Sequence, residues 1–520
     1  MTKNDKPDIV LVLSDQHRAD VCGREGFPLD TTPFLDSMAH EGVWFNRAYT
    51  TAPLCCPART SIFTGRYPTA HRVVENSAAE LAVPGTNLFE VAKKAGYTTA
   101  MVGKNHTWLS ADDVDYWDEF SHEGRVEPSE GDGAAFDDWL HKRRHRTATE
   151  PTPFPVEVQN PYRIVSEALD WAKQQSPNKP IMLVVSFPEP HNPYQVPEPY
   201  FSMFPTELLP PIEPGPEERK KQSFAWEYLH EIGEEANPQY DELIDRARAN
   251  YFGMLRLIDD QVKRLYEGLE ERHQGRNRIM AVTADHGDYV GAFGLVRKGA
   301  EIPELLARIP MVVSGDGIVG ALTGVSNESA QSAFVSLADL MPTFCEAMGE
   351  EIPISAQGRS LLPMLTGHDY PKEEFASAYI EQGFGGLPYT AADVPDGAGA
   401  VHPGIMWDDG EPVPRLDELN SVTQSGRHRK VRSGDWALFA GMTGDFRLFN
   451  VREDPYELNN RWDDPTPEVQ AVRSALLELL AVWQMRSEDP LPVKDYVRKR
   501  DPHGYLEPYS TLPVVPDGVK

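Results

Sequence analysis

Short apolar runs alternate with amphipathic stretches along much of the chain. Residues 8–14 have no polar break inside the run, the pattern of a parallel strand buried on both faces. Residues 98–102, 181–187, 279–283 and 310–314 repeat that pattern. Between them, apolar residues recur at helical spacing over 32–41, 87–95, 164–174 and about 237–269. Strands alternating with helices predict an α/β fold with a mainly parallel central sheet flanked by helices. Beyond residue 367 the pattern changes to short antiparallel strands around Gly turns (429–432, 436–440, 446–451), followed by an amphipathic helix over 467–486. The predicted organisation is a catalytic domain over 1–370, a smaller C-terminal α+β subdomain over 371–490 with an antiparallel sheet plus helix, and an extended Pro-rich tail over 491–520.

In parallel sheets, ligands bind beyond the carboxyl ends of the strands. Four of the apolar runs end in chemically suggestive residues: Asp15-Gln16, Gly103-Lys104-Asn105-His106, Pro190-His191 and Asp285-His286. Any one of them alone reads as a cap, a turn or a solvated side chain. Together they define one candidate site. Two carboxylates with an amide and an imidazole suit a divalent cation, and the oxygen-rich set favours calcium, magnesium or manganese over zinc.

The length of 520 residues predicts two lobes, and the net charge of −30 predicts a field that repels nucleic acid and anionic membranes. That field also opposes a polyanionic substrate unless a local cationic pocket overrides it. The four cysteines, Cys22, Cys55, Cys56 and Cys345, show neither zinc-site nor disulfide spacing, which fits a reducing compartment. The N-terminal residues run into the first strand without an apolar segment of signal length, and no run reaches the ~18 residues of a membrane span. The expected location is cytoplasmic, with no nucleic-acid and no membrane partner.

The most specific motif is Cys55-Cys56-Pro57-Ala58-Arg59, followed by Thr64-Gly65-Arg66. It resembles the maturation signature of the type I, formylglycine-dependent sulfatases of the alkaline-phosphatase-like superfamily. The resemblance implies that a maturation enzyme oxidises Cys55 to formylglycine (3-oxoalanine), whose hydrate is the nucleophile; Cys56 reads as a small packing residue. It assigns the divalent cation to Asp15, Gln16, Asp285 and His286 together with residue 55. Arg59 would steady the nucleophile. Gly103-Lys104-Asn105-His106 is similar to the family's G-K-x-H segment, with Lys104 on a sulfate oxygen and His106 on the nucleophile's hydroxyl. Pro190-His191-Asn192-Pro193 is similar to its P-H-x-P loop, with His191 as general acid. Lys298 matches a second sulfate-binding lysine, and Asn76 falls where related hydrolases place a polar substrate contact. Further likenesses at 32–36, 42–45, 259–262, 358–362 and 448–455 extend the resemblance over about 7–485. Gln16 departs from the commoner Asp and looks more like choline sulfatases and phosphonate monoester hydrolases. Calcium leads the metal expectation, with manganese and magnesium as competitors.

The collection suits sulfate monoester chemistry, in which charge persists on the nonbridging oxygens and grows on the leaving alkoxide. Two lysines and a metal stabilise the first, and an acid neutralises the second. The hydrate attacks sulfur, and loss of its second hydroxyl proton expels sulfate. The expected substrate is a small sulfated molecule: aryl, sugar or small alkyl. A phosphonate monoester or phosphodiester hydrolase is the alternative within the superfamily, and a non-catalytic scaffold on a dead hydrolase fold is the alternative outside it. Substrate identity lies in loops; residues 381–386 and the tail tyrosines are the candidates for lining the pocket. The tail also makes a homo-oligomer an expectation.

Overall fold

The computed structural model describes residues 6–77, 79–237, 239–273, 276–320, 331–393, 405–408, 411–414, 419–488, 501–505 and 513–519. In chain order the elements that frame the site are β1 (Asp8–Asp15), α1 (Pro33–Glu41), β2 (Val43–Trp44), α2 (Cys55–Thr64), β3 (Thr98–Gly103), β4 (Tyr116–Ser121) and β5 (Gly124–Arg125). Then come α3 (Asn160–Gln174), β6 (Ile181–Pro190), α4 (Tyr240–His273), β7 (Arg278–Ala284) and β8 (Met311–Gly315). The C-terminal part adds β9 (Ser377–Gly385), β10 (Gly426–Ser433), β11 (Trp436–Gly441), β12 (Phe446–Asn450) and α5 (Pro467–Ser487).

The central sheet has eight strands in the order β2-β8-β7-β1-β6-β3-β4-β5. Strands β7, β1, β6, β3 and β4 are mutually parallel, so their carboxyl ends share one edge. The run ending at Gly315 is an exception, because β8 pairs antiparallel with β7. Alternation along β1 feeds two cores. Ile9, Leu11 and Leu13 pack with Phe63, Met341 and Phe344 on one face. Val10 and Val12 pack with Val165, Leu169, Val262 and Leu265, from α3 and α4, on the other. Burial on both faces is why β1 contains no polar residue between Asp8 and Ser14.

The second sheet, β9-β10-β11-β12, is antiparallel throughout. Its inner face carries Val431, Trp436, Leu438 and Leu448 against Val469, Val472, Leu476, Leu479 and Trp483 of α5. Within the expected tail, residues 491–500 and 506–512, with Tyr496 and Tyr509, lie outside the described residues. Tyr505 is buried in the main core and donates to the Ser360 carbonyl. Residues 381–385 are not a loop but the end of β9, paired with β10. The apolar stretch from Ser377 that drives this pairing is short and interrupted, so periodicity gave no strand signal.

Candidate active site

The motif forms the first turn of α2, a helix buried along its whole length. Gly65 terminates it at φ +64°, a conformation glycine adopts without strain. The start of α2 is held by Asn76, whose Oδ1 accepts from the Cys56 N–H at 3.0 Å, while the Cys56 thiol donates to the Asn76 carbonyl. Asn76 is thus occupied in positioning the motif through one end of its amide. His71 fixes the middle of the helix: it accepts from the Val73 N–H at Nδ1, which leaves Nε2–H to donate to Ser61 Oγ at 3.0 Å.

At the head of α2 the Cys55 thiol lies 3.3 Å from His286 Nε2 and 3.5 Å from Asp15 Oδ1. Ligand atoms of Asp15, Cys55, Asp285 and His286 all fall within 4.8 Å of one another, and all four residues are buried. Gln16 stands beside them at φ +70°, a left-handed backbone that is strained for a residue with a side chain. Its amide is fixed at both ends: Nε2 donates to Asp288 and Oε1 accepts from Lys298 Nζ at 3.0 Å. Asp288 also accepts from Tyr194 and from the Val290 and Arg297 N–H groups, and burial pushes its carboxyl up to about 6.

Cations surround this cluster. Arg59 is fully buried; its Nε donates to Asp285, and its Nη1 donates to the Lys104 carbonyl and to Ser186 Oγ. Lys104 Nζ pairs with Asp15 and lies 2.8 Å from His122 Nε2. Burial opposes ionisation of Asp15, but the Lys104 ammonium, with Arg59 and Lys298 behind it, outweighs burial and holds the carboxyl well below its usual range. Lys298 is 1% exposed.

His191 is stacked on His122 with ring centroids 3.8 Å apart. Its Nδ1 donates to the Asn192 carbonyl at 2.7 Å, leaving Nε2 as the titrating nitrogen. Burial, with cations next to it, keeps His106, His122 and His191 neutral, each well below the ordinary histidine value. Three buried polar atoms in this one site have no hydrogen-bond partner among the described residues: Arg59 Nη2, His106 Nδ1 and His122 Nδ1. Orphaned buried donors and acceptors of this kind mark a place built for a ligand.

Every strand-end residue singled out from the sequence lies at the same sheet edge. Three contributors were missed. Ser186 sits inside β6, and Asp288 follows the Asp285-His286 pair by two residues. His122 follows β4, whose mixed sequence hid the strand; the rule that sites form beyond strand ends would have found it.

A family model describing sulfatases matches residues 7–350. An arylsulfatase of Clostridium perfringens is 30% identical over 484 residues, covering 88% of this chain and 90% of that protein. A multifunctional alkaline phosphatase superfamily protein of Trinickia caryophylli is 31% identical over 409 residues, covering 69% and 77%. Among solved structures, the phosphonate monoester hydrolase of Agrobacterium radiobacter superposes with a TM-score of 0.71 at 21% identity, over 92% of this chain and 96% of that one, a likeness of fold.

Proposed function

The chain belongs to the sulfatase family and hydrolyses sulfate monoesters, and on that premise we propose which of its residues do the work. In this reading Cys55 is matured to formylglycine by a dedicated enzyme, and the substrate is a small sulfated organic molecule. The observation that carries it is the buried group of Cys55, Asp15, Asp285 and His286 ringed by Arg59, Lys104 and Lys298, with unpartnered polar atoms left inside.

The donor set fits a hard divalent cation, calcium before manganese or magnesium, held by Asp15, Gln16, Asp285 and His286 with residue 55. The convergence of four buried ligand atoms, from Asp15, Cys55, Asp285 and His286, within 4.8 Å of one another supports that assignment. Such a cation supplies fixed positive charge against a sulfate oxygen. A formylglycine hydrate supplies two hydroxyls on one carbon, one to attack sulfur and one whose proton loss releases sulfate.

The chain's own side chains account for the rest. Lys104 and Lys298 present ammonium groups to the nonbridging oxygens, and Arg59 Nη2 offers a further N–H from a side chain locked by its other donors. His106 takes the nucleophile's proton at its free ring nitrogen. His191 gives a proton to the leaving-group oxygen from Nε2, because Nδ1 is committed to the Asn192 carbonyl. The substrate's negative charge favours the imidazolium that this needs, so the acid is assembled when substrate arrives.

A second reading, phosphonate monoester hydrolysis, rests on Gln16, which puts an amide where a carboxylate would add one more anion. That the four buried cysteines form no disulfide supports a cytoplasmic site of action. The test joins intact-mass analysis of residue 55 after coexpression with a maturation enzyme to turnover of nitrophenyl sulfate against a phenyl phosphonate ester. The sulfatase reading expects the thiol-to-aldehyde mass change and a preference for the sulfate. A retained thiol with full turnover overturns the formylglycine assignment, and a large phosphonate preference overturns the substrate class.

A further inference from the structure

A cavity of about 180 Å³ lies outside the catalytic cluster, lined by Thr69, Arg72, Val74, Glu381, Gln382, Gly383, Arg427 and Arg429. It shares a loop with the residue that holds the nucleophile's helix: Val74 lines the cavity, and two residues further on Asn76 holds the start of α2. The other wall is the end of β9 and the beginning of β10, so the second sheet faces the segment that follows α2 across it.

Three guanidinium groups in one cavity are unexpected on a chain of net charge −30. Arg429 is engaged: it donates to Thr69 Oγ1 and the His428 carbonyl and lies 3.8 Å from Glu381. Arg72 and Arg427 are exposed and have no side-chain partner among the described residues. Glu381 is only 3% exposed, and it is not a full counter-ion for the three. Its Oε2 accepts from the Thr69 N–H and hydroxyl, while its Oε1 is buried with no hydrogen-bond partner. An orphaned buried carboxylate oxygen costs about 1–3 kcal/mol, and a ligand hydroxyl is the group that removes the cost.

We propose that this cavity is a subsite for the leaving group of an anionic sugar sulfate: Arg72, Arg427 and Arg429 take a second anion, a carboxylate or a further sulfate, and Glu381 Oε1 takes a ring hydroxyl. The proposal rests on the sulfatase reading and narrows it, from small sulfate esters in general to acidic sugars carrying the scissile sulfate. It also answers how so acidic a protein accepts a polyanion. The repulsion of the whole surface is overridden locally in this cavity by guanidinium groups suited to carboxylate and sulfate.

The test uses the matured full-length protein and matched substrates: a neutral hexose sulfate, the same sugar bearing a carboxylate, and the same sugar bearing a second sulfate. The expected result is a kcat/KM for the doubly anionic sugars at least about tenfold above the neutral one, falling with added salt. Arg427→Ala should cut that preference about tenfold, the scale of one charge-assisted hydrogen bond. Arg452→Ala is the control, since Arg452 pairs with Asp435 at 3.6 Å away from the cavity. Equal kcat/KM for neutral and anionic sugars, or a preference untouched by Arg427→Ala, overturns the subsite. Nitrophenyl sulfate separates the two levels: its turnover without anionic-sugar preference sinks the subsite alone, whereas its absence in verified matured protein sinks the sulfatase reading. Calorimetric titration of the same sugars into Cys55→Ala protein, which has no hydroxyl to attack sulfur, reads the subsite without chemistry, so it is decided in either case.

Discussion

Arg59 Nε donates to Asp285 Oδ2 at 2.8 Å, and neither side chain is exposed to solvent. The same guanidinium reaches the Lys104 carbonyl and Ser186 Oγ, so one side chain from α2 ties together the ends of β3 and β7 and the interior of β6. The motif helix and the strand edge are therefore one rigid unit.

Arg59→Lys keeps the charge but has one nitrogen where this site uses a fork. Turnover of nitrophenyl sulfate should fall by about 10²–10³, the scale for losing preorganised donors. Arg59→Ala leaves Asp285 without its partner and should lower stability by about 3–5 kcal/mol. Steady-state kinetics and urea unfolding measure the two effects. A Lys variant with near wild-type kcat/KM would refute the fork.

Removal of divalent cations should abolish turnover and, separately, lower the melting temperature. Asp15 and Asp285 belong to a buried cluster whose ligand atoms lie within 4.8 Å of one another, and a ligand of the native state alone adds stability by mass action, about 2.7 kcal/mol at a hundred times its Kd. The protein dialysed against chelator should regain both properties with calcium, and manganese or magnesium should rank below it. A melting temperature indifferent to every cation would count against the site.

Gly103 precedes Lys104 at φ +108°, and a Cβ built there would meet the Ser186 carbonyl oxygen at 1.9 Å. Strand β6 cannot retreat, because Ser186 is paired on one side with Gly103 and on the other with Leu13. Gly103→Ala should cost about 2 kcal/mol or more in unfolding free energy and also displace Lys104 from Asp15. A variant of wild-type stability would show that the strand edge yields.

Stability should depend on pH through His71. Burial is the largest cause, with Arg66 adding to it, of a value lowered to about 3. The native state thus resists protonation while the unfolded chain takes its proton near 6.5. Between these values the unfolded state binds more protons, so stability rises with pH: the contribution is complete above about 6.5 and is lost as pH falls towards 3. His71→Asn, which keeps a donor and an acceptor, should reduce the slope by about 1.4 kcal/mol per pH unit in that window. Urea midpoints at several pH values read it, and a difference between wild type and variant that is constant with pH would exclude His71 as the cause.

The sequence made the parallel core legible because burial on both faces leaves strands such as β1 and β6 with unbroken apolar runs. It hid β4 and β9, whose polar residues point into local networks rather than solvent: Asp118 pairs with Arg125, and Glu381 with Thr69. The site followed the same division. Asp15, Lys104, His191 and Asp285 could be placed because each ends a visible strand, whereas His122 ends an invisible one. Ser186 lies within a strand and becomes functional only through Arg59, a contact across 127 positions that no local pattern carries.

His191 gives the sharpest test of how the proton moves. Its Nδ1 is fixed on the Asn192 carbonyl and its ring is stacked on His122, so Nε2 is held in one orientation. General acid catalysis contributes in proportion to the basicity of the departing oxygen. A nitrophenolate leaves with little help, whereas a sugar or alkyl alkoxide needs a proton. His191→Asn should therefore lower kcat/KM for nitrophenyl sulfate by no more than about tenfold, but for an alkyl or sugar sulfate by about 10²–10⁴. Plotted against leaving-group pKa, the variant's rates should fall more steeply than the wild type's. Parallel lines would mean that His191 binds sulfate without donating a proton, and would move the acid's role to His122, the ring stacked against it.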